Sequence, residues 1–182
     1  FNGAIALTGD LTLTGDNFTF NGPVNPADDV TITNDGLITI AAAADMTLTG
    51  DFQQLGGSGS IQTAGDISTS DASISFTSPI TLTGDVDFTI SGASGNIVFN
   101  GSSATINGGY ALLLSSNSGS VEFDAAVGTA TPLSSLQVTG PGGIQVSANQ
   151  TVSTGPMSYT GPVTLTANTI FTDSGATGIT FS

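Results

Sequence analysis

Over the first ninety residues, apolar and polar positions alternate in short bursts that close on a small residue and an aspartate. Leu11, Leu13, Val30, Ile32, Met46, Leu48, Ile80 and Leu82 hold one phase, and Thr12, Thr14, Thr31, Thr33, Thr47, Thr49, Thr81 and Thr83 hold the other. A period of two predicts half-buried β-strands with the aliphatic side chains inward and the threonines outward. The closing Gly-Asp pair predicts a turn, because Gly accepts positive φ and Asp hydrogen-bonds nearby backbone. The bursts are "LTLTGD" ending at Asp16, "VTITND" at Asp35, "MTLTGD" at Asp51, "IQTAGD" at Asp66 and "ITLTGD" at Asp85, spaced 19, 16, 15 and 19 residues apart. Weaker echoes, "NIVFNG" and "LLLSSN", end at Gly101 and Asn117.

A unit this short cannot bury its apolar side alone, whereas stacked units can, which is the logic of a solenoid. The spacing therefore predicts an all-β fold, a parallel β-helix in which each coil rises by one strand spacing of ~4.8 Å. At about 18 residues per coil, nine or ten coils make a rod roughly 45 Å long. An antiparallel β-sandwich is the alternative, but it has no need of one phrase at a nearly regular interval. Residues 1–182 read as a single solenoid, regular over about 1–118. Over about 119–182 it is looser, with an inserted loop around "GTATP" and no linker that divides the chain. In that second part "LQVTGP" recurs as "MSYTGP" after 21 residues, and "IQVSAN" as "VTLTAN" after 19.

Composition narrows the functional classes. The 182 residues include 14 acids and no Lys, Arg or His, for a formal charge of −14. Nucleic-acid binding rests on cations that displace counterions, and anionic membrane surfaces attract the same residues, so neither partner is expected. No apolar run approaches the ~18 residues of a membrane span. Without Cys there is neither a disulfide framework nor thiol chemistry, and without His or Lys no base for a nucleophilic triad. With no start methionine or signal peptide at Phe1, the expectation is a processed product or part of something longer.

The segments Gly119 to Val127, Pro132 to Gly140 and Tyr159 to Leu165, together with "GNIVFNGS", resemble the repeats of large bacterial surface proteins of the filamentous-haemagglutinin-like adhesin type. The likeness covers about residues 80–182 and is looser before that. It implies a right-handed β-helix shaft, secreted and displayed at the bacterial cell surface, and names no ligand.

Carboxylates are the remaining chemistry. If Asp16, Asp35, Asp51, Asp66 and Asp85 stack at successive turns, like charges ~5 Å apart repel, and a hard cation such as calcium would relieve them. These five are the candidate metal ligands, although the nonapeptide of calcium-binding β-rolls is absent. Asp85 with Asp87, and Glu122 with Asp124, sit two apart on one strand face, ~6.5–7 Å at the backbone, a separation compatible with an inverting glycosidase pair. Nothing in the sequence raises the pKa of either member, and no enzymatic activity is expected. The Thr-X-Thr rows allow an ice-binding face, against which Thr is the ordinary strand-surface residue. The expectation is an extracellular structural protein, the shaft of a surface adhesin or a self-assembling fibre subunit that joins end to end, since both ends fall inside strand pattern without a polar cap. A calcium-stabilised segment binding glycan, a host surface or ice is the alternative, and a polysaccharide-acting enzyme a weaker one.

Overall fold

The computed structural model describes residues 1–56 and 58–182, apart from the side chains of Pro26 and Ala27. Its described residues contain strands and turns and no helix, wound as a right-handed parallel β-solenoid of about eight turns. The first coil holds β1 (Leu11–Gly15), β2 (Phe18–Phe20) and β3 (Val24–Ala27), and the second β4 (Val30–Asn34), β5 (Leu37–Ile40) and β6 (Met46–Leu48). The third holds β7 (Phe52–Leu55), β8 (Ser60–Thr63) and β9 (Ile67–Thr69). In the fourth are β10 (Ile74–Phe76), β11 (Ile80–Leu82) and β12 (Val86–Ile90), and in the fifth β13 (Ile97–Phe99), β14 (Ile106–Asn107) and β15 (Ala111–Ser116). The sixth has β16 (Ser120–Phe123) and β17 (Ser135–Thr139), and the seventh β18 (Gly143–Val146), β19 (Gln150–Val152) and β20 (Met157–Thr160). The eighth has β21 (Val163–Leu165), β22 (Phe171–Asp173) and β23 (Ile179–Phe181).

Each coil contributes one strand to each of three faces. The first face runs β1-β4-β7-β10-β13-β16-β18-β21, and the third runs from β3 to β23 through the last strand of every coil. The second face is β2-β5-β8-β11-β14, continued through Val127, which bridges Ile106 below and Gln150 above, to β19-β22. All of these pairings are parallel. The loop between Val127 and β17 is the insertion anticipated around "GTATP".

The register corrects the expected repeat. On the first face Leu11, Val30, Phe52, Ile74, Ile97, Val121, Ile144 and Val163 stand above one another, which makes a coil 19 to 24 residues, not 15 to 19. Eight turns accordingly replace nine or ten. "LTLTGD" and "VTITND" are neighbouring rungs of the first face, and "IQTAGD" and "ITLTGD" of the second. "MTLTGD", however, ends the third face. A strand that alternates and ends in a tight corner is needed three times per coil, so the phrase marks any side of the triangle. The later pairs hold as read: Leu136 lies under Met157, and Ile144 under Val163.

Inward positions are aliphatic or aromatic and almost fully buried from Phe20 to Tyr159. A column of rings fills the middle coils. Phe99 stacks near-parallel on Phe76 (5.6 Å, 4°) and Phe123 (5.4 Å, 11°), while Phe88 leans in from the third face, 5.0 Å from Phe76. Burying a Phe contributes ~1.5–3 kcal/mol, and stacked rings about 0.5–1.5 more.

One inner corner, between the first and second faces, is polar. Buried Gln54 donates from Nε2 to Asn34 Oδ1 below (2.8 Å) and Ser78 Oγ above (2.9 Å). Its Oε1 accepts the N–H groups of Thr77 and Ser78, each at 3.0 Å. Asn34 in turn donates to the carbonyls of Gly36 and Ser60. Gly59 is required beside it, because a Cβ there would lie 2.2 Å from Asn34 Nδ2.

Candidate functional surface

Acidic residues line the outer corners, where the chain turns from one face to the next. At the corner entering the first face, Asp10 Oδ1 accepts the N–H of Asp29 (3.4 Å), Asp29 that of Asp51 (2.7 Å), and Asp51 that of Ser73 (2.6 Å). The column continues with Ser73 Oγ accepting from Asn96 N–H (3.1 Å) and Asn96 Oδ1 from Ser120 N–H (2.8 Å). At the corner entering the third face, Asp45 accepts from Asp66 N–H (3.0 Å), Asp66 from Asp87 N–H (2.8 Å), and Asp85 from Ala111 N–H (2.9 Å). Each side chain thus clamps the corner amide of the coil above it. Hydrogen bonds from backbone N–H to a carboxylate are among the strong ones, and they satisfy donors at the ends of the strand ladders.

The five candidate metal ligands therefore do not form one ladder. Asp16 and Asp35 occupy adjacent rungs at the exit of the first face, both exposed. Asp51 belongs to the column entering the first face, and Asp66 and Asp85 to the corner entering the third. Among the described residues no three acids come close enough together to hold a metal ion. The acids that do stack, Asp10, Asp29 and Asp45, were not singled out from the turn motif. A signal for them was present: Asp10, Asp29, Asp45, Asp51, Asp66 and Asp85 each immediately precede the apolar residue that opens a strand or its approach. Their bonding belongs to the strand that follows, not to the turn that closes the strand before.

Of the carboxylate pairs, Asp85 and Asp87 converge with Asp66. Partial burial, then the charges of Asp66 and Asp85, push the Asp87 carboxyl above its usual range. Asp124 is half-buried and accepts the Gly101 N–H at 2.9 Å. Asp173, in the last coil, is held below the usual carboxylate range by the N–H of Gly178 first and by Gly175 and Thr177 besides.

The threonine pairs are dispersed: Thr12, Thr14, Thr31 and Thr33 face outward on the first face, Thr47 and Thr49 on the third, and Thr81 and Thr83 along the second. The outward row of the first face reads Thr12, Thr31, Gln53, Ser75, Val98, Glu122, Gln145, Thr164. It does not make a flat array of one hydroxyl type.

A cavity of about 450 Å³ lies on the end of the stack, lined by Gly161, Val163, Leu165, Phe171, Phe181 and Ser182, with no acid among them. Beneath it Tyr159, fully buried, stacks on Phe181 and donates its hydroxyl to Gln150 Oε1, and burial pushes the phenol pKa up. Gln150 Nε2 is buried without a partner among the described residues. Compared with known protein families, curated proteins and solved structures, the chain gives no match.

Proposed function

We propose that the protein is a structural rod, the shaft of an extracellular bacterial surface adhesin or the subunit of a fibre. The observation that carries this reading is continuity along the axis. On all three faces, strand pairs with strand from coil to coil, with aliphatic and aromatic columns inside and side-chain clamps at the corners. Eight rungs at ~4.8 Å give a rod of roughly 40 Å. Every rung is held by its neighbours alone, so the architecture extends by repetition and transmits load along its axis. Repeat resemblance to filamentous-haemagglutinin-like adhesins supports the same setting, as does a surface free of basic side chains.

Axial association follows from the eighth coil, where Leu165, Ile170, Ile179 and Phe181 are exposed beside open strand edges. A further rung would bury them. Contacts between rods are then backbone and apolar, since the chain has no Lys or Arg for lateral ion pairs. Electron microscopy combined with sedimentation over a range of concentrations tests this. Rods that lengthen along their axis at constant width are expected. Compact particles, or lateral sheets without axial growth, would overturn the reading.

A further inference from the structure

The chain contains four Asn-Gly steps, Asn2–Gly3, Asn21–Gly22, Asn100–Gly101 and Asn107–Gly108. This dipeptide is chemically vulnerable, because glycine has no Cβ to shield its amide nitrogen from the preceding carboxamide. The fold restrains three of them. Asn107 Oδ1 accepts two N–H groups, from Ala130 (2.9 Å) and Thr131 (3.2 Å), and Gly108 is buried against Leu82. Asn21 Nδ2 donates to Asn2 Oδ1 (2.8 Å), which ties both carboxamides, and buried Gly22 packs on the Gly3 backbone.

Asn100–Gly101 differs in each respect. It lies at the corner after β13, where Asn100, Gly101, Ser102 and Ser103 are all exposed. The Asn100 side chain makes no hydrogen bond among the described residues. Gly101 has φ +81° and open space where a Cβ would stand. The backbone of the step is nevertheless held, because Asn100 N–H donates to Phe76 O at 2.8 Å. Its Gly101 N–H, the group that must lose a proton to become a nucleophile, points at a carboxylate: Asp124 Oδ2, one coil above, accepts it at 2.9 Å. Asp124 is itself fixed by its own N–H on Phe99 O at 3.0 Å.

We propose that Asn100–Gly101 is a self-modification site, at which Asp124 acts as the base for intramolecular deamidation of Asn100. Gly101 N attacks Asn100 Cγ, and its proton passes to Asp124. The Cγ–Nδ2 bond breaks, and the departing nitrogen takes that proton and leaves as ammonia. A succinimide ring remains. Water then opens it at Cγ to give aspartate, or at the main-chain carbonyl to give isoaspartate, so that asparagine and water become acid and ammonia. The product places a new carboxylate beside Asp124, and the isoaspartate form lengthens the backbone at a corner between stacked rungs. A rod built for endurance thus carries one timed weak point.

The test uses the full chain, aged near neutral pH, then unfolded, digested and mapped by mass spectrometry with fragmentation that separates aspartate from isoaspartate. Asn100 is expected to convert ahead of Asn21 and Asn107, and faster in the folded chain than in denaturant. Asp124→Asn keeps an acceptor oxygen at the same place and removes the base. It is expected to slow Asn100 about tenfold, less than a well-matched base contributes because a carboxylate is weakly basic towards an amide, and to leave Asn2 unchanged. An unchanged or faster rate at Asn100 in Asp124→Asn would overturn the proposal. So would slower conversion of Asn100 in the folded parent than in denaturant, a comparison that needs no variant.

Discussion

Replacing Gln54 by leucine tests whether the polar inner corner holds the coils together or merely tolerates burial. The two residues are close in size, so the change removes hydrogen bonding with little change in volume. Four groups lose their partner: Asn34 Oδ1, Ser78 Oγ, and the N–H groups of Thr77 and Ser78. Asn34, Gln54 and Ser78 are all within 2% of full burial, so solvent does not reach the orphans. Each buried group left unsatisfied costs about 1–3 kcal/mol. Ser78 Oγ can rotate to another acceptor, which leaves three groups and a gross cost of roughly 3–9 kcal/mol. Leucine returns about 1.5–3 kcal/mol by burial. The net expectation is a loss of about 2–6 kcal/mol, read as the shift in denaturant midpoint at constant slope. Hydrogen exchange should rise first at Thr77, Ser78 and Ser60, the amides of that corner. A Gln54→Leu chain within about 1 kcal/mol of the parent would refute the reasoning, and would place that corner among polar networks that an apolar core replaces without loss.

Phe99→Ala removes the centre of the ring column, and with Phe76 and Phe123 fixed on both sides the cavity cannot collapse, so a loss of about 3–5 kcal/mol is expected in the same assay. Asp87→Asn addresses pH. The Asp87 carboxyl is raised by burial first and by Asp66 and Asp85 next, so its penalty is full above the raised value and gone below the unfolded value near ~3.9. The parent should therefore gain stability from Asp87 as pH falls through that window. Asp87→Asn should melt higher than the parent at neutral pH, by less than about 1 kcal/mol because solvent screens the site, and equally with it at about pH 3. Asp173 has the opposite sign, its depressed value giving stability that is lost in acid, and cancels from this comparison because both chains carry it. Equal melting of the two chains at every pH would contradict the assignment.

Alternation of Leu11, Thr12, Leu13 and Thr14 determined the strands and their inward side, because a period of two leaves a half-buried strand no other orientation. Recurrence of the phrase determined that coils stack. Coil length was not legible in it. A coil closes only when three strands and three corners return the chain above its start, and the corners vary in length while the phrase stays the same. Hence Met46–Leu48 on the third face and Leu11–Gly15 on the first look alike in sequence and stand on different sides of the rod. The acid corners show the same division. Asp51 was visible as a turn residue, but its partner, the N–H of Ser73, lies 22 residues away and is brought within 2.6 Å only by the stacking of the third coil under the fourth. Gln54 was invisible as a core residue, since its polarity reads as surface until Asn34 and Ser78 close around it. Local pattern encodes which way a side chain points. What that side chain meets depends on the length of every corner in between, and only the folded coil sets it.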